Sequence, residues 1–142
     1  MVGKGVLLEC LESDHVEQVL VVNRRPVDME HPKLKQVIHK DFLNIDPIKN
    51  ELSGYNACYF CMGVSAVGMP GEDYKRLTYD LTMHWANTLA GINPGMVFCY
   101  VSGEGTDSSE SSRANWANVK GKTENEILKL PFKDSYMFRP GM

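Results

Sequence analysis

No block of like charge in this chain is longer than two residues, and 15 Lys and Arg stand against 18 Asp and Glu. A nucleic-acid binder carries a basic stripe, and a polybasic membrane anchor carries a basic cluster. The even mixing of charge excludes both, so neither nucleic acid nor a membrane is an expected partner. Apolar runs also stop far short of the ~20 residues that span a bilayer. Four cysteines in 142 residues are too few and too scattered for a disulfide-stapled secreted module. What is present is 43% hydrophobic content, enough for one core at this length and not for two. The expectation is a single soluble, cytoplasmic domain over residues 1–142.

The strands and helices announce themselves by pattern. Residues 3–13 read as an amphipathic helix with no capping residue ahead of it. No signal-peptide pattern opens the chain. Glu17 to Asn23 is a continuous apolar run closed by Arg24-Arg25-Pro26, as expected of a parallel strand buried on both faces. Gln36 to His39 reads as a short strand. Asp46-Pro47 is a helix-start signature and predicts a short helix over 47–53. Strands follow at 56–62 and 96–101, with a long helix at 72–91 between them. A second long helix at 113–129 precedes a last strand at 135–138. Strands alternating with helices of this size predict a doubly wound parallel α/β sheet, a Rossmann fold. Ligands of such sheets sit at the carboxyl ends of the strands, so the residues just past each strand are the candidates.

Gly3 lies where the last glycine of a phosphate-binding turn would enter its helix; a flexible terminal glycine is the plain alternative. Asn23-Arg24-Arg25 follows the next strand. An acidic residue there would take a ribose 2′-hydroxyl, whereas arginine accommodates a 2′-phosphate. A solvated arginine pair is the competing reading. Asp41 suits an adenine amino group or a surface turn, and Gly63 a close cofactor approach or an ordinary turn. Cys58-x-x-Cys61 is not read as a metal or redox pair, because a spacing of three on a strand points the side chains to opposite faces. Cys10 and Cys99 read as small core residues, and the four histidines share no ligand spacing, so no metal is expected. Ser102 ends the strand at 96–101. Trp116 and Lys120, four apart on the helix that follows, share one helix face; taken alone, Lys120 reads as a solvated lysine.

In order and spacing, these segments resemble the atypical short-chain dehydrogenase/reductases, most of all the Tat-interacting-protein type of NAD(P)-binding, epimerase-like oxidoreductase. The matching segments are Met1-Val2-Gly3, Val21 to Arg25, Lys40-Asp41-Phe42, Phe60 to Ser65, Val101-Ser102-Gly103, Val119 to Glu124 and Phe138 to Gly141. The resemblance implies a Rossmann sheet whose first, central strand precedes Met1. It also implies a substrate-binding segment beyond the last residue, so the chain is expected to be a fragment. It further implies a dinucleotide cofactor, NADP(H) ahead of NAD(H), held by Gly3, Arg24, Arg25, Asp41, Gly63 and Lys120. The family's catalytic Ser, Tyr and Lys fall on Ser102, Trp116 and Lys120. Trp116 therefore replaces the proton-transferring tyrosine, and indole, a donor only, does not titrate in the needed range. Tyr79 and Tyr100 are the other acids considered. The leading expectation is a reductase-like protein acting on an unknown small carbonyl or hydroxyl compound. The alternatives are a non-catalytic NADP(H)-binding sensor or scaffold, or a chain that binds no cofactor. Homo-oligomerisation is left open.

Overall fold

The computed structural model describes residues 2–141. Met1, the first residue of the matched Gly3 segment, lies outside the described residues. The chain forms two compact units, Met1–Glu51 and Leu52–Met142, and each is described by itself. Among the described residues every strand pairing is parallel; helices form the crossovers from β3 to β4 and from β4 to β5, whereas β1 and β2 are joined by an irregular loop over 24–33.

In the first unit, helix α1 (Val2–Glu12) is followed by β1 (Val19–Asn23) and β2 (Leu34–Ile38). α1 buries Leu7 and Leu11, four apart on one face. β2 begins earlier than the sequence suggests because Leu34 pairs with Val19 and Lys35 with Leu20. The ladder thus recruits two residues that the preceding prolines made look like loop. β1 is half-buried along its whole length rather than fully buried, and among the described residues β2 is the strand that pairs with it. The Nζ of Lys33 ties the start of β2 to the end of α1, donating to the carbonyl oxygens of Leu11 and Ser13 at 3.3 and 2.7 Å. The helix expected at 47–53 is a 3₁₀ turn over Asp46–Leu52.

The second unit carries a three-stranded sheet in the order β3-β4-β5, formed by Ala57–Phe60, Val97–Val101 and Asp134–Phe138. The long predicted helix is one helical run, α2 (Gly71–Lys75) and α3 (Leu81–Ile92), joined through a π-helical turn at Arg76–Asp80. α4 (Asn115–Leu128) leads to β5. Alternation along the strands sends Phe60, Phe98 and Tyr100 to one face of the sheet. There Phe98 is fully buried and stacks on Phe60 and Phe132, while Phe60 meets Trp85 of α3 edge-on. Asn93 closes the other end of the unit, its side-chain amide bonding both Gly54 N–H and the Leu52 carbonyl.

Of the two cysteines expected in the core, Cys99 is buried and Cys10 only half-buried. All four cysteines are free thiols, and burial together with the nearby Cys61 and Cys99 pushes the Cys58 thiol up to about 12, so it carries no thiolate near neutral pH.

Candidate functional site

In the first unit, Gly3 lies in the first turn of α1. The parallel register pairs Asn23 with Ile38, which brings the segments after β1 and β2 side by side. The Arg24 guanidinium lies over the Phe42 ring, 5.6 Å from its centroid, in cation–π geometry. Arg24 is thus held by the residue next to Asp41, while Arg25 is exposed. Asp41 turns its carboxylate onto its own chain and accepts from Leu43 N–H at 3.1 Å, which makes it a turn residue as it stands. His39 stacks on Phe42 and its ring nitrogen reaches the Asn44 carbonyl at 2.7 Å. Arg24 and the Asp41–Phe42 turn therefore form one platform at the ends of β1 and β2.

In the second unit the site is built on the loop that leaves β4. Ser102 is buried, and its backbone N–H donates to the Phe138 carbonyl at 2.7 Å. Its hydroxyl meets that of Thr106 at 2.9 Å, and Thr106 donates its only hydroxyl proton to the Gly103 carbonyl at 2.7 Å. Ser102 must then be the donor to Thr106, which leaves its lone pairs free. The loop runs along α4 and is clamped by one stripe of that helix. Asp107 N–H donates to the Ala117 carbonyl. Asn118 exchanges two hydrogen bonds with Ser112 at 2.8 Å each, and Asn125 donates to the Ser108 carbonyl at 2.8 Å. At Gly121 the approach is so close that a Cβ would overlap the Asp107 carbonyl oxygen.

A different stripe of α4 carries Trp116, Lys120 and Glu124, successive residues four apart. The half-buried Trp116 lies on the backbone of Gly105, where a Cβ would stand 3.0 Å from the indole and the backbone φ is +86°. This places Trp116 against the loop that carries Ser102, and not in the core. Lys120 is half-buried, and desolvation holds its ammonium below the ordinary lysine value, with Glu124 pulling the other way. Among the described residues no hydrogen bond or ion pair closes on that ammonium. Glu124, 3% exposed, is saturated instead by Arg139, whose Nη2 and Nε reach its two oxygens at 2.6 and 3.0 Å.

The two tyrosines considered as acids lie elsewhere. Tyr100 is 1% exposed and burial raises its pKa, so no substrate reaches it. Tyr79 sits beside a shallow cleft of about 140 Å³, with the Lys122 and Lys75 ammoniums 4.7 and 5.7 Å from its ring centroid. Gly63 is exposed and has open space around its Cβ position; nothing within the protein requires a glycine there. Among the described residues no group of three or more His, Cys, Asp or Glu converges on a metal-sized site, and no helix is long and apolar enough to cross a membrane.

The sequence reading assigned no role to Thr106, Glu124 or Arg139. A signal existed for Glu124, four residues past Lys120 on the same helix face. None marks its pairing with Arg139, which depends on the tertiary fold.

Parallel strands in both units, with helical crossovers in the second, mark a mixed α/β chain of the Rossmann type. Two solved structures share that fold. The chain matches a short chain dehydrogenase family protein from Francisella tularensis with a TM-score of 0.61 at 12% identity, over 88% of this chain and 56% of that one. It matches gox2253 with a TM-score of 0.66 at 15% identity, over 99% and 48% of the two chains. No family model matches the sequence. Protein FMP52, mitochondrial, of Debaryomyces hansenii is 32% identical over 99% of this chain and 62% of its own length. Protein HTATIP2 of Rattus norvegicus is 26% identical over 99% of this chain and 57% of its own length. These likenesses support an atypical short-chain dehydrogenase/reductase superfamily, and the chain spans about 60% of the length of the two curated relatives. Its fold is that of NAD(P)-binding oxidoreductases.

Proposed function

We propose that this chain is an NADP(H)-binding member of its superfamily in which cofactor recognition is retained and proton transfer is lost. The observation that carries the reading is Lys120. A desolvated ammonium with three donors and no partner costs free energy, and acceptor oxygens of a ligand, such as ribose hydroxyls, would relieve that cost. In the first unit Arg24, over the Phe42 ring, and Arg25, both exposed, supply forked donors suited to a ribose 2′-phosphate. Within the second unit, open space at Gly63 leaves room for a close ligand approach; within the first, Gly3 lies in the first turn of α1. Asp41 would have to release its turn bond to reach an adenine. A nicotinamide group supplies hydride chemistry when bound. The chain's own part is to bind and orient the cofactor and to present the Ser102 lone pairs to a small hydroxyl compound, or its proton to a carbonyl once the bond to Thr106 is released.

A non-catalytic sensor or scaffold is favoured over a working reductase by Trp116. Its indole lies on Gly105 at the tyrosine position and has no proton of suitable pKa to give. General acid–base catalysis contributes roughly 10²–10⁴-fold where a positioned group supplies it, and neither Tyr79 nor Tyr100 stands in for it.

Fragments of the cofactor test the two ends independently by calorimetry. The 2′-phosphate of adenosine 2′,5′-bisphosphate is expected to improve binding over adenosine 5′-monophosphate, and Arg24→Ala/Arg25→Ala should erase the difference. Charge-assisted contacts of this kind contribute about 1–3 kcal/mol. Nicotinamide mononucleotide binding should be lost in Lys120→Ala. With NADPH and a panel of carbonyls, the wild-type chain should show little turnover and Trp116→Tyr more. Robust wild-type turnover unaffected by Lys120→Ala sinks the assignment of the site.

A further inference from the structure

The pair of buried Glu124 and exposed Arg139 lies one helical turn from Lys120 and joins α4 to the end of β5. Arg139 follows β5 directly. The neighbouring strand-end residues are fastened to the Ser102 loop by the Phe138 and Pro140 carbonyls, which accept from the N–H groups of Ser102 and Glu104 at 2.7 and 3.3 Å. Glu124 belongs to the helix that carries Lys120. An isolated carboxylate at this position would be the natural partner for a lysine four residues earlier on the same face. The observed geometry is different: both carboxylate oxygens face the guanidinium, and the lysine remains without an ion pair.

We infer that Arg139 is a positioning residue for Lys120, occupying both oxygens of Glu124 so that the neighbouring ammonium keeps its donors for a ligand. Its role toward a ribose rests on the reading above. The competition between Arg139 and Lys120 for Glu124 stands on the ion-pair geometry alone. A forked guanidinium wins that competition because it satisfies two oxygens at once, which a point-charge ammonium does not. Other charges do not decide it. Asp73, Lys75, Arg76 and Asp80 lie on α2 and the π turn, His84 on α3 and Asp134 on β5, and none of them bears on Lys120, whereas Glu124 does. Asp107, in the loop, acts on Arg139.

The test is the ionisation of Lys120, followed by ¹³C NMR of the reductively dimethylated chain and assigned by loss of the signal in Lys120→Arg. Lys120 should titrate below the ordinary lysine value in the wild type. In Arg139→Gln, Glu124 captures the ammonium and the titration should move up by about 1 unit. Arg139→Gln/Glu124→Gln should bring it back down. Arg139→Lys keeps the charge but loses the fork, and should give an intermediate rise in a chain less perturbed than Arg139→Gln. A purely structural ion pair predicts loss of stability with an unchanged Lys120 titration; that result, in either folded single variant, overturns the inference. Failure of wild-type chain to bind nicotinamide mononucleotide removes the ribose role and leaves the competition for Glu124 intact.

Discussion

The strand ends of the two units carry their polar groups in opposite ways. After β1 and β2 the groups are presented outward: Arg25 is exposed, Arg24 is held by one ring, and Asp41 is engaged only within its own turn. After β4 and β5 they are locked. Ser102 and Thr106 are buried and bonded to each other, the loop is clamped along α4, and Glu124 is closed by a bidentate guanidinium. Preorganised groups lose little freedom when a ligand arrives, whereas mobile ones must be ordered at that moment. The second unit therefore offers a fixed geometry around the half-buried Lys120. The first offers charge and a flat surface, which suits recognition of a phosphate more than discrimination of shape.

Glycine substitutions break this comparison most sharply. Gly121→Ala drives a methyl group into the Asp107 carbonyl, and a backbone atom cannot swing aside as a side chain can. Overpacking of this kind costs about 1–3 kcal/mol, and the loop should lift from α4. Gly5→Ala, inside α1 with open space around it, should instead stabilise by roughly 0.5–1 kcal/mol, because alanine is the better helix former. Urea denaturation of both variants measures the pair. Similar shifts in both would show that the second unit is not the tightly packed one.

The elements were legible because they are written locally. The runs Val19 to Asn23 and Met96 to Val101 are apolar and short, and Trp116 and Lys120 share a face by spacing alone. What was not legible depends on partners distant in sequence. The beginning of β2 at Leu34 is set by the ladder with β1. The π turn at Arg76–Asp80 interrupts a sequence that reads as uninterrupted helix. Gly121 looks like an unfavourable helix residue until the Asp107 carbonyl is seen against it. Of the candidate site, Ser102, Trp116 and Lys120 were readable by resemblance. Thr106 and Glu124 lie only four residues from Ser102 and Lys120, but the pairing of Glu124 with Arg139 was not legible, because a hydrogen-bond partner 15 residues away leaves no periodic trace.

A smaller effect sharpens the same contrast. Thr106→Val removes the bond to the Gly103 carbonyl and the acceptor for Ser102. At a net value of roughly 1 kcal/mol per hydrogen bond, thermal unfolding should show a loss of about 1–2 kcal/mol. The freed Ser102 proton then becomes available to a carbonyl ligand. Asp41→Ala gives up one exposed turn bond in the first unit, and its effect should stay within about 0.5 kcal/mol. A larger loss for Asp41→Ala than for Thr106→Val would reverse the assignment of which strand end is locked.

The least effect is expected from acid. Ser109 donates to the Asp107 carboxylate through both its hydroxyl, at 2.6 Å, and its N–H, at 2.9 Å; Ser111 N–H adds a weaker bond at 3.2 Å. These bonds, the Ser109 hydroxyl foremost, hold the Asp107 carboxyl below its ordinary value of 3.8. A carboxylate whose pKa is lowered on folding contributes stability that is fully present above the unfolded value and is lost as pH falls through the folded one. The loop around Ser109 to Ser111 should therefore keep its amide protection at pH 5 and lose it only below the ordinary carboxylate range. Asn118 and Asn125 carry no titrating group, so the clamp along α4 should survive the same acid. Hydrogen exchange read at pH 5 and again near pH 3 separates the two layers. Asp107→Asn should already exchange fast at residues 109–111 at pH 5, with protection at Ala117 to Gly121 unchanged. Loss of protection throughout α4 in that variant would mean that Asp107, and not the asparagine and glycine stripe, fastens the loop.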